Sequence, residues 1–193
     1  MNDDDLDDLQ PRSAGEIAER VLGLIAVVGK VQFPSQNAKW MAANDIGCYL
    51  SQAEREFIDS PSPEQKDMVN FSWRSEALVS LLWSLRGLEN MPELNKQFDV
   101  FSNAMVLQAI QQTSHFLLQP VRRELGELQA QEQYLYRQHW RVRDRDLGIH
   151  NDEPGEDDPD IDSLISGLVY ERRYAMSWVL GRGDSWDDVP TDT

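Results

Sequence analysis

The sequence predicts an all-α fold: a single compact domain of about six to eight helices, orthogonally packed, with an extended C-terminal tail docked on the core. Apolar residues recur at spacings of three and four in several segments, which is the period of a helix with one buried face. No segment of convincing length alternates apolar and polar residues as a half-buried strand does. The chain has 193 residues, of which 40% are hydrophobic, and this is enough to bury one core.

Two acidic segments bound and interrupt this predicted domain. Residues 1–12 carry most of the N-terminal aspartates and predict a disordered acidic tail. The helical domain is predicted to extend over residues 13–193. Within it, residues 148–160 are rich in glycine, proline and aspartate, which predicts a mobile acidic loop.

Capping boxes mark the first helices. Ser13-Ala-Gly-Glu16 opens an apolar stripe that we expect to end at Gly29, and Ser51-Gln-Ala-Glu54 opens a short helix that two prolines close. Between them, Ser35 is expected to cap another short helix, which stops at Gly47.

The next predicted helix is the central one. It is expected to open at Ser62-Pro-Glu-Gln65 and to run to about Gly87. It is apolar on most of its circumference, which is typical of a buried helix. Three residues of this helix are candidates for a pocket or a polar layer: the large aromatic Trp73 and the ionisable Arg74 and Glu76. Neither ionisable side chain is expected to be buried without a partner.

The second half of the chain predicts three more helical segments. One extends from Phe98 to Gln119, and Pro120 either kinks it or starts a new helix. An apolar stripe then continues to about Arg145. Asp160 or Asp162 is expected to cap the last helix.

A polar group lies on or beside the stripe before Arg145. Its members are Glu132, Tyr136, His139 and Arg143. The preferred interpretation is a hydrogen-bonded layer in the core, since arginine suits buried pairing with carboxylates. The alternatives are a Trp-lined pocket in which Glu132 or His139 acts as general base, and a plain solvent-facing edge. Glu132 and His139 are two turns apart, about 10 Å, so they cannot share a metal ion on helical geometry alone.

Arg172 lies in the middle of the apolar side of the last helix and needs an anion. We predict a structural clamp made of Arg172, Arg173, Trp186, Asp187 and Asp188. In it, Arg172 or Arg173 binds a carboxylate of the tail while Trp186 fills a hydrophobic slot. Glu76 is the second candidate partner.

The net charge and the single cysteine limit the classes of partner and the compartment that we expect. A net charge of -16 disfavours binding to nucleic acid or to an anionic membrane, and it favours a basic protein partner. Cys48 has no partner for a disulfide within the chain, and the acidic N-terminus does not resemble a signal peptide, which together predict a cytoplasmic protein. No cofactor and no metal site are predicted.

The usual signatures of catalysis are missing. The sequence contains no phosphate-binding glycine loop, no HExxH motif and no nucleophile elbow. This favours a non-enzymatic interaction domain, such as an adapter or an immunity-like inhibitor. The alternative is an enzyme or small-ligand-binding protein that uses the Trp-lined polar pocket.

Several linked motifs resemble an uncharacterised bacterial family, domain-of-unknown-function family 4272. They are Trp73-Arg-Ser-Glu-Ala-Leu78 with Leu82-Trp83, Tyr136-Arg-Gln-His-Trp140, Glu171-Arg-Arg-Tyr-Ala175 with Trp178, and Trp186-Asp-Asp-Val189 with Thr191-Asp-Thr193. The likeness extends from about residue 14 to the end of the chain. It implies a soluble bacterial domain with no assigned activity, cofactor or substrate, and it carries over no catalytic residues.

Overall fold

The computed structural model describes residues 10–149 and 154–190. These residues contain eight α-helices of eight residues or more, one helical turn at Thr113–Phe116, several short 3-10 turns and no strand. The helices are α1 Ala14–Gln32, α2 Pro34–Asn44, α3 Gln52–Asp59, α4 Gln65–Ser72, α5 Arg74–Ser84, α6 Ala104–Gln111, α7 Leu125–Asp146 and α8 Ser166–Val179. The predicted all-α class is confirmed.

Helices α5 and α8 form the centre of the core. α8 packs against α5 on one side and α7 on another, and α1 packs against α5. Both central helices are buried almost all round, α5 over residues 76–84 and α8 over residues 171–179. Their polar residues therefore need partners inside the protein. Among the described helices, none is both long and apolar enough to cross a bilayer.

The two predicted capping boxes are present. The backbone N–H of Glu16 donates to Ser13 Oγ at 3.2 Å, and that of Glu54 donates to Ser51 Oγ at 3.3 Å. In each box the glutamate also accepts from the backbone N–H of its serine, so two free helix donors are satisfied.

Gly29 does not end α1, as the sequence suggested. The helix continues to Gln32. A methyl group added at Gly29 would lie 2.5 Å from Asn37 Oδ1, and Asn37 Nδ2 donates to the Ala26 carbonyl at 2.8 Å. The glycine therefore permits the close approach of α2.

The predicted central helix from residue 62 to 87 is divided in two. α4 starts after Glu64 instead of after Ser62, and it ends at Ser72. Trp73 links it to α5, and the Trp73 carbonyl accepts from the Glu76 backbone N–H at 2.9 Å. The break lets the Trp73 ring pack on Gly167 of α8, at 3.5 Å from the position of a Cβ there.

The predicted helix from Phe98 to Gln119 is also shorter. Asn103 caps α6 by accepting from two backbone N–H groups, and a separate turn follows at Thr113–Phe116. Pro120 neither kinks nor starts a helix, because α7 begins at Leu125 behind its own capping box of Glu124 and Glu127.

Two other predicted boundaries moved. α2 begins at Pro34, ahead of the expected Ser35 cap, and ends at Asn44, ahead of Gly47. Asp160 caps a 3-10 turn at Ile161–Ser163, and α8 begins only after it, at Ser166.

The C-terminal tail docks on the core, as predicted. Trp186 and Val189 are buried, and the Tyr174 hydroxyl donates to the Trp186 carbonyl. Arg12 Nη2 donates to the Gly183 carbonyl at 2.7 Å, so the tail also contacts the segment before α1.

Parts of the two predicted acidic segments lie outside the described residues, namely residues 1–9 and 150–153. Their predicted disorder and mobility stay predictions. Of the first segment, the described part already contacts the core, since the Arg12 backbone N–H donates to the Val179 carbonyl at 2.8 Å.

Candidate functional site

The internal arginine of α8 pairs with α5. Arg172 is fully buried, and its Nε and Nη2 donate to Glu76 Oε2 at 3.0 and 2.8 Å. Its Nη1 donates to the carbonyls of Pro92 and Glu93 at 2.5 and 3.1 Å. The first choice of partner, a tail carboxylate, was wrong for Arg172, and the second candidate, Glu76, is the one bound.

The carboxylates of Asp187 and Asp188 bind other groups, one on α3 and one within the tail. Asp187 Oδ2 accepts from the Ala53 backbone N–H at 3.1 Å, and Asp188 Oδ2 accepts from the Ser185 hydroxyl at 2.6 Å. The tail lies beside α1 and α3, whereas the middle of α8 faces α5. Arg172 therefore meets a carboxylate of α5 first.

Both carboxylate oxygens of Glu76 accept hydrogen bonds from the protein. Its Oε1 accepts from the Phe98 backbone N–H at 3.1 Å, while Oε2 accepts from Arg172, and the residue has no exposed surface. Arg74 pairs separately with Glu171 at 2.9 Å and lies 5.0 Å from the Tyr174 ring. Glu76 is thus a structural counter-ion with no access to a substrate.

Glu132 lies at the interface of α7 and α8. It has no exposed surface, its Oε1 accepts from the Ser177 hydroxyl at 3.2 Å, and Arg182 Nε lies 4.0 Å from the same oxygen. These contacts form part of a polar layer between the two helices.

His139 belongs to the same layer. Arg173 Nη1 donates to His139 Nδ1 at 2.6 Å. Because a guanidinium only donates, Nδ1 accepts, and the neutral ring carries its proton on Nε2. Burial, together with the nearby charges of Arg173 and Arg143, lowers the pKa of His139 to about 4. Tyr136 is half-buried under the Arg173 guanidinium, 4.6 Å away, and Arg143 is exposed.

The proposed Trp-lined pocket is not open. Trp73 packs on α8, Glu76 is bonded to Arg172, and Glu132 is sealed between α7 and α8. None of the four clefts described by the structure is lined by these residues or by His139.

A polar cleft of about 530 Å³ lies between α1, the turn at Ile46–Tyr49 and the tail. We call it the α1–tail cleft. Five exposed carboxylates line it: Glu16, Glu19, Asp184, Asp187 and Asp188. The other lining side chains that matter here are Arg12, Arg20, Tyr49, Trp178 and Trp186.

Arg20 organises the wall of this cleft. It is 6% exposed and forms a hydrogen-bonded ion pair with Glu54. Its guanidinium lies 5.0 Å from the Trp186 ring centroid. A methyl group at Gly23 would lie 2.1 Å from Arg20 Nη2, so the guanidinium folds back onto the bare backbone of α1.

Several buried polar atoms at and near Arg20 have no hydrogen-bond partner among the described residues. Among the described residues, Arg20 Nε, Glu54 Oε1, Trp186 Nε1 and Arg12 Nε are buried without a hydrogen-bond partner. Buried polar groups in folded proteins nearly always have a partner, which is either protein, water or a ligand. Three of these atoms belong to residues that line the cleft, Arg12, Arg20 and Trp186, and they distinguish it from a plain surface groove.

Sequence reasoning missed Arg20. Its signal was nevertheless of the kind that identified Arg172, an arginine inside the apolar stripe between Ile17 and Val21 of α1. Glu54 was noticed only as part of a capping box. The same oxygen, Glu54 Oε2, accepts from the Ser51 backbone N–H in the capping box and from Arg20 Nη2.

A second, apolar groove of about 290 Å³ separates α1, α2 and α6. It is lined by Phe33, Trp40, Phe101, Leu107 and Ile110. Within the described part of the chain, no cluster of three or more His, Cys, Asp or Glu side chains could hold a metal ion.

The fold and these contacts define a class: an all-α protein built around internal arginine–carboxylate pairs, with its cleft at the junction of the first helix and the tail. The chain belongs to the family described as Domain of unknown function (DUF4272), whose profile matches residues 4–189. No curated protein and no solved structure matches the chain.

Proposed function

We propose that the protein is a non-enzymatic interaction domain, of an adapter or immunity-like kind, that binds a basic partner protein. The observation that supports the proposal is the sorting of charge in the fold. Arg20, Arg172 and Arg173 are 6%, 0% and 3% exposed, although arginine is normally a surface residue. Among the described residues, the four buried arginines, Arg20, Arg141, Arg172 and Arg173, are matched by four buried carboxylates, Glu54, Glu76, Glu132 and Glu171. The buried charges therefore cancel, and the acidic excess of the chain stays on the surface.

Carboxylates dominate what remains outside. The chain has 34 Asp and Glu residues against 18 Lys and Arg, and many of the described carboxylates are exposed. Such a surface attracts a basic protein and accelerates its association. The same field repels a nucleic-acid backbone and an anionic bilayer. A location in the bacterial cytoplasm is part of the proposal: the lone Cys48 fits a reducing compartment, and the family resemblance supports a bacterial source.

The enzyme alternative has less support. Its two candidate bases both belong to the polar layer: Glu132 Oε1 accepts from the Ser177 hydroxyl, and His139 Nδ1 accepts from Arg173. A general base needs a free lone pair within reach of a substrate proton. The sealed position of Glu132 and the Arg173 contact to His139 Nδ1 do not offer one.

The test is affinity capture from a native bacterial host at low salt, followed by binding measurements with the purified partner. We expect a partner of high isoelectric point, released by moderate salt, whose affinity falls steeply as salt increases. A partner that is acidic, or whose affinity is independent of salt, contradicts the proposal. Hydrolytic or group-transfer activity that the purified wild-type protein shows and the Glu132→Gln variant lacks also contradicts the proposal.

A further inference from the structure

We propose that the α1–tail cleft is the recognition site for that basic partner, and that it binds an extended peptide segment through one Arg or Lys side chain and a neighbouring backbone carbonyl. The inference rests on the proposed function and adds the place and the chemical class of the ligand. Three independent features of the cleft carry it.

The first feature is the set of unsatisfied donors. Trp186 is 4% exposed and Arg20 6% exposed, and Trp186 Nε1–H and Arg20 Nε–H have no acceptor among the described residues. The Arg20 guanidinium carbon lies 5.0 Å from the Trp186 ring centroid, so the two donors belong to one cluster. A ligand that presents a carbonyl oxygen can satisfy such donors, whereas a purely cationic ligand cannot.

The second feature is the charge of the lining. Arg12 lies 3.7 Å from Glu16, and Arg20 pairs with Glu54. Glu19, Asp184, Asp187 and Asp188 form no ion pair with a described residue. Among the described residues, the cleft therefore has more carboxylates than cations, which disfavours phosphate or a carboxylate ligand and favours a cation.

The third feature is the aromatic lining and the size. The Trp178 and Trp186 rings meet edge to face at 5.4 Å, and Arg12 already lies 5.2 Å from the Trp178 ring. This wall suits a guanidinium or ammonium group. The volume of about 530 Å³ is that of a typical ligand site and is large enough for one long basic side chain with its flanking peptide units.

The probe is a blocked tripeptide, acetyl-Gly-Arg-Gly-amide, titrated into the ¹⁵N-labelled full-length protein. Its matched control carries citrulline, which has the shape of arginine without the charge. We expect the Trp186 indole N–H resonance, assigned with Trp186→Phe, to shift on addition of the arginine peptide. Citrulline should lower the affinity by about tenfold or more, because the carboxylates no longer have a cation to attract.

Two double variants test the residues. Glu19→Gln with Asp184→Asn removes two lining charges that form no ion pair with any described residue, and it should weaken binding of the arginine peptide severalfold. Glu89→Gln with Asp99→Asn removes the same charge from exposed positions outside the cleft, and it should leave the affinity unchanged. Both variants should retain the wild-type helical content.

Several outcomes overturn the inference. They are an indole resonance that does not move, equal binding of both peptides, equal binding of spermidine, and self-association of the protein through the cleft. A native basic partner that binds the Glu19→Gln, Asp184→Asn protein as well as the wild type would remove this site while leaving the proposed function intact.

Discussion

At the scale of single residues, the buried arginines of this protein have a structural role, because they pair with carboxylates inside the core. Arg172 and Glu76 are both without exposed surface, so each has lost its hydration and depends on the other. Burial lowers the pKa of Arg172, and the Glu76 charge acts in the opposite direction. Such a pair contributes little net stability compared with a hydrophobic pair in the same place. Removing one member is destabilising, because the other is left as an unpaired buried charge.

Replacing one member of the pair should therefore be far worse than replacing both. We expect Arg172→Ala to lower the free energy of unfolding by about 3–5 kcal/mol, because Glu76 is left as an isolated buried charge. The double variant Arg172→Met, Glu76→Leu should recover most of that loss. Urea denaturation of the three proteins measures both values, and a double variant as unstable as Arg172→Ala would contradict the pairing argument.

His139 gives the protein a pH dependence above the range of the carboxylates. Its pKa falls from 6.5 to about 4 on folding, chiefly through burial. The unfolded chain thus takes up a proton near pH 6.5, while the folded protein resists until about pH 4. Stability is full above pH 6.5 and is lost as the pH falls towards 4, by about 2 kcal/mol after allowance for partial solvation.

The measurement is the unfolding free energy between pH 7.5 and 5, roughly the window in which histidine titrates and most carboxylates do not. His139→Gln keeps an acceptor for Arg173 but has no titrating ring, so its stability should change less over this interval. Parallel pH profiles for the two proteins would show that His139 makes no contribution.

At the scale of elements, the tail depends on two glycines with positive φ. Gly181 and Gly183 have φ of 92° and 75°, in the left-handed region that other residues avoid. A methyl group at Gly183 would also lie 2.8 Å from the Asp188 carbonyl oxygen. The turn after α8 thus needs glycine both for its dihedral angle and for the close return of the chain.

A pair of alanine variants separates these two effects. Gly148 has φ of 69°, but no atom of the described residues lies within 4 Å of an added methyl group, so Gly148→Ala should cost only the dihedral penalty, about 1 kcal/mol. Gly183→Ala should cost clearly more, about 2–4 kcal/mol, and should expose Trp186 to quenchers of fluorescence. Thermal melts and acrylamide quenching provide the readouts, and equal costs for the two variants would refute the packing argument.

The elements also show what a sequence can and cannot predict here. The starts of α1 and α3 followed from Ser13 and Ser51, because a capping box is complete within four residues. The break at Trp73 did not, because the local pattern is continuous and the break is stabilised by distant Gly167. The need of Arg172 for an anion was predictable from its position, but the choice of Glu76 depended on how α5 and α8 pack. The α1–tail cleft was missed for the same reason, since its walls are far apart in the chain.

At the scale of the whole molecule, the excess of carboxylates acts against the compact state. A net charge of -16 over a small surface is self-repulsive, and salt screens exposed charges more than buried pairs. We expect the melting temperature to rise as sodium chloride is added in the moderate range. Differential scanning calorimetry measures the shift, with the neutral solute sucrose as a control for general solvent effects. A melting temperature that falls with salt would mean that the internal pairs are more accessible to ions than their burial indicates.

The position of α8 in the chain has a consequence for the order of events during synthesis. α8 leaves the ribosome after α1 to α7, yet it lies at the centre of the described fold and carries the cation for Glu76. Until it emerges, α5 has neither its packing surface nor its counter-ion. We therefore expect the segment before α8 not to fold autonomously, so that the nascent chain acquires its native core only once α8 is free to join it.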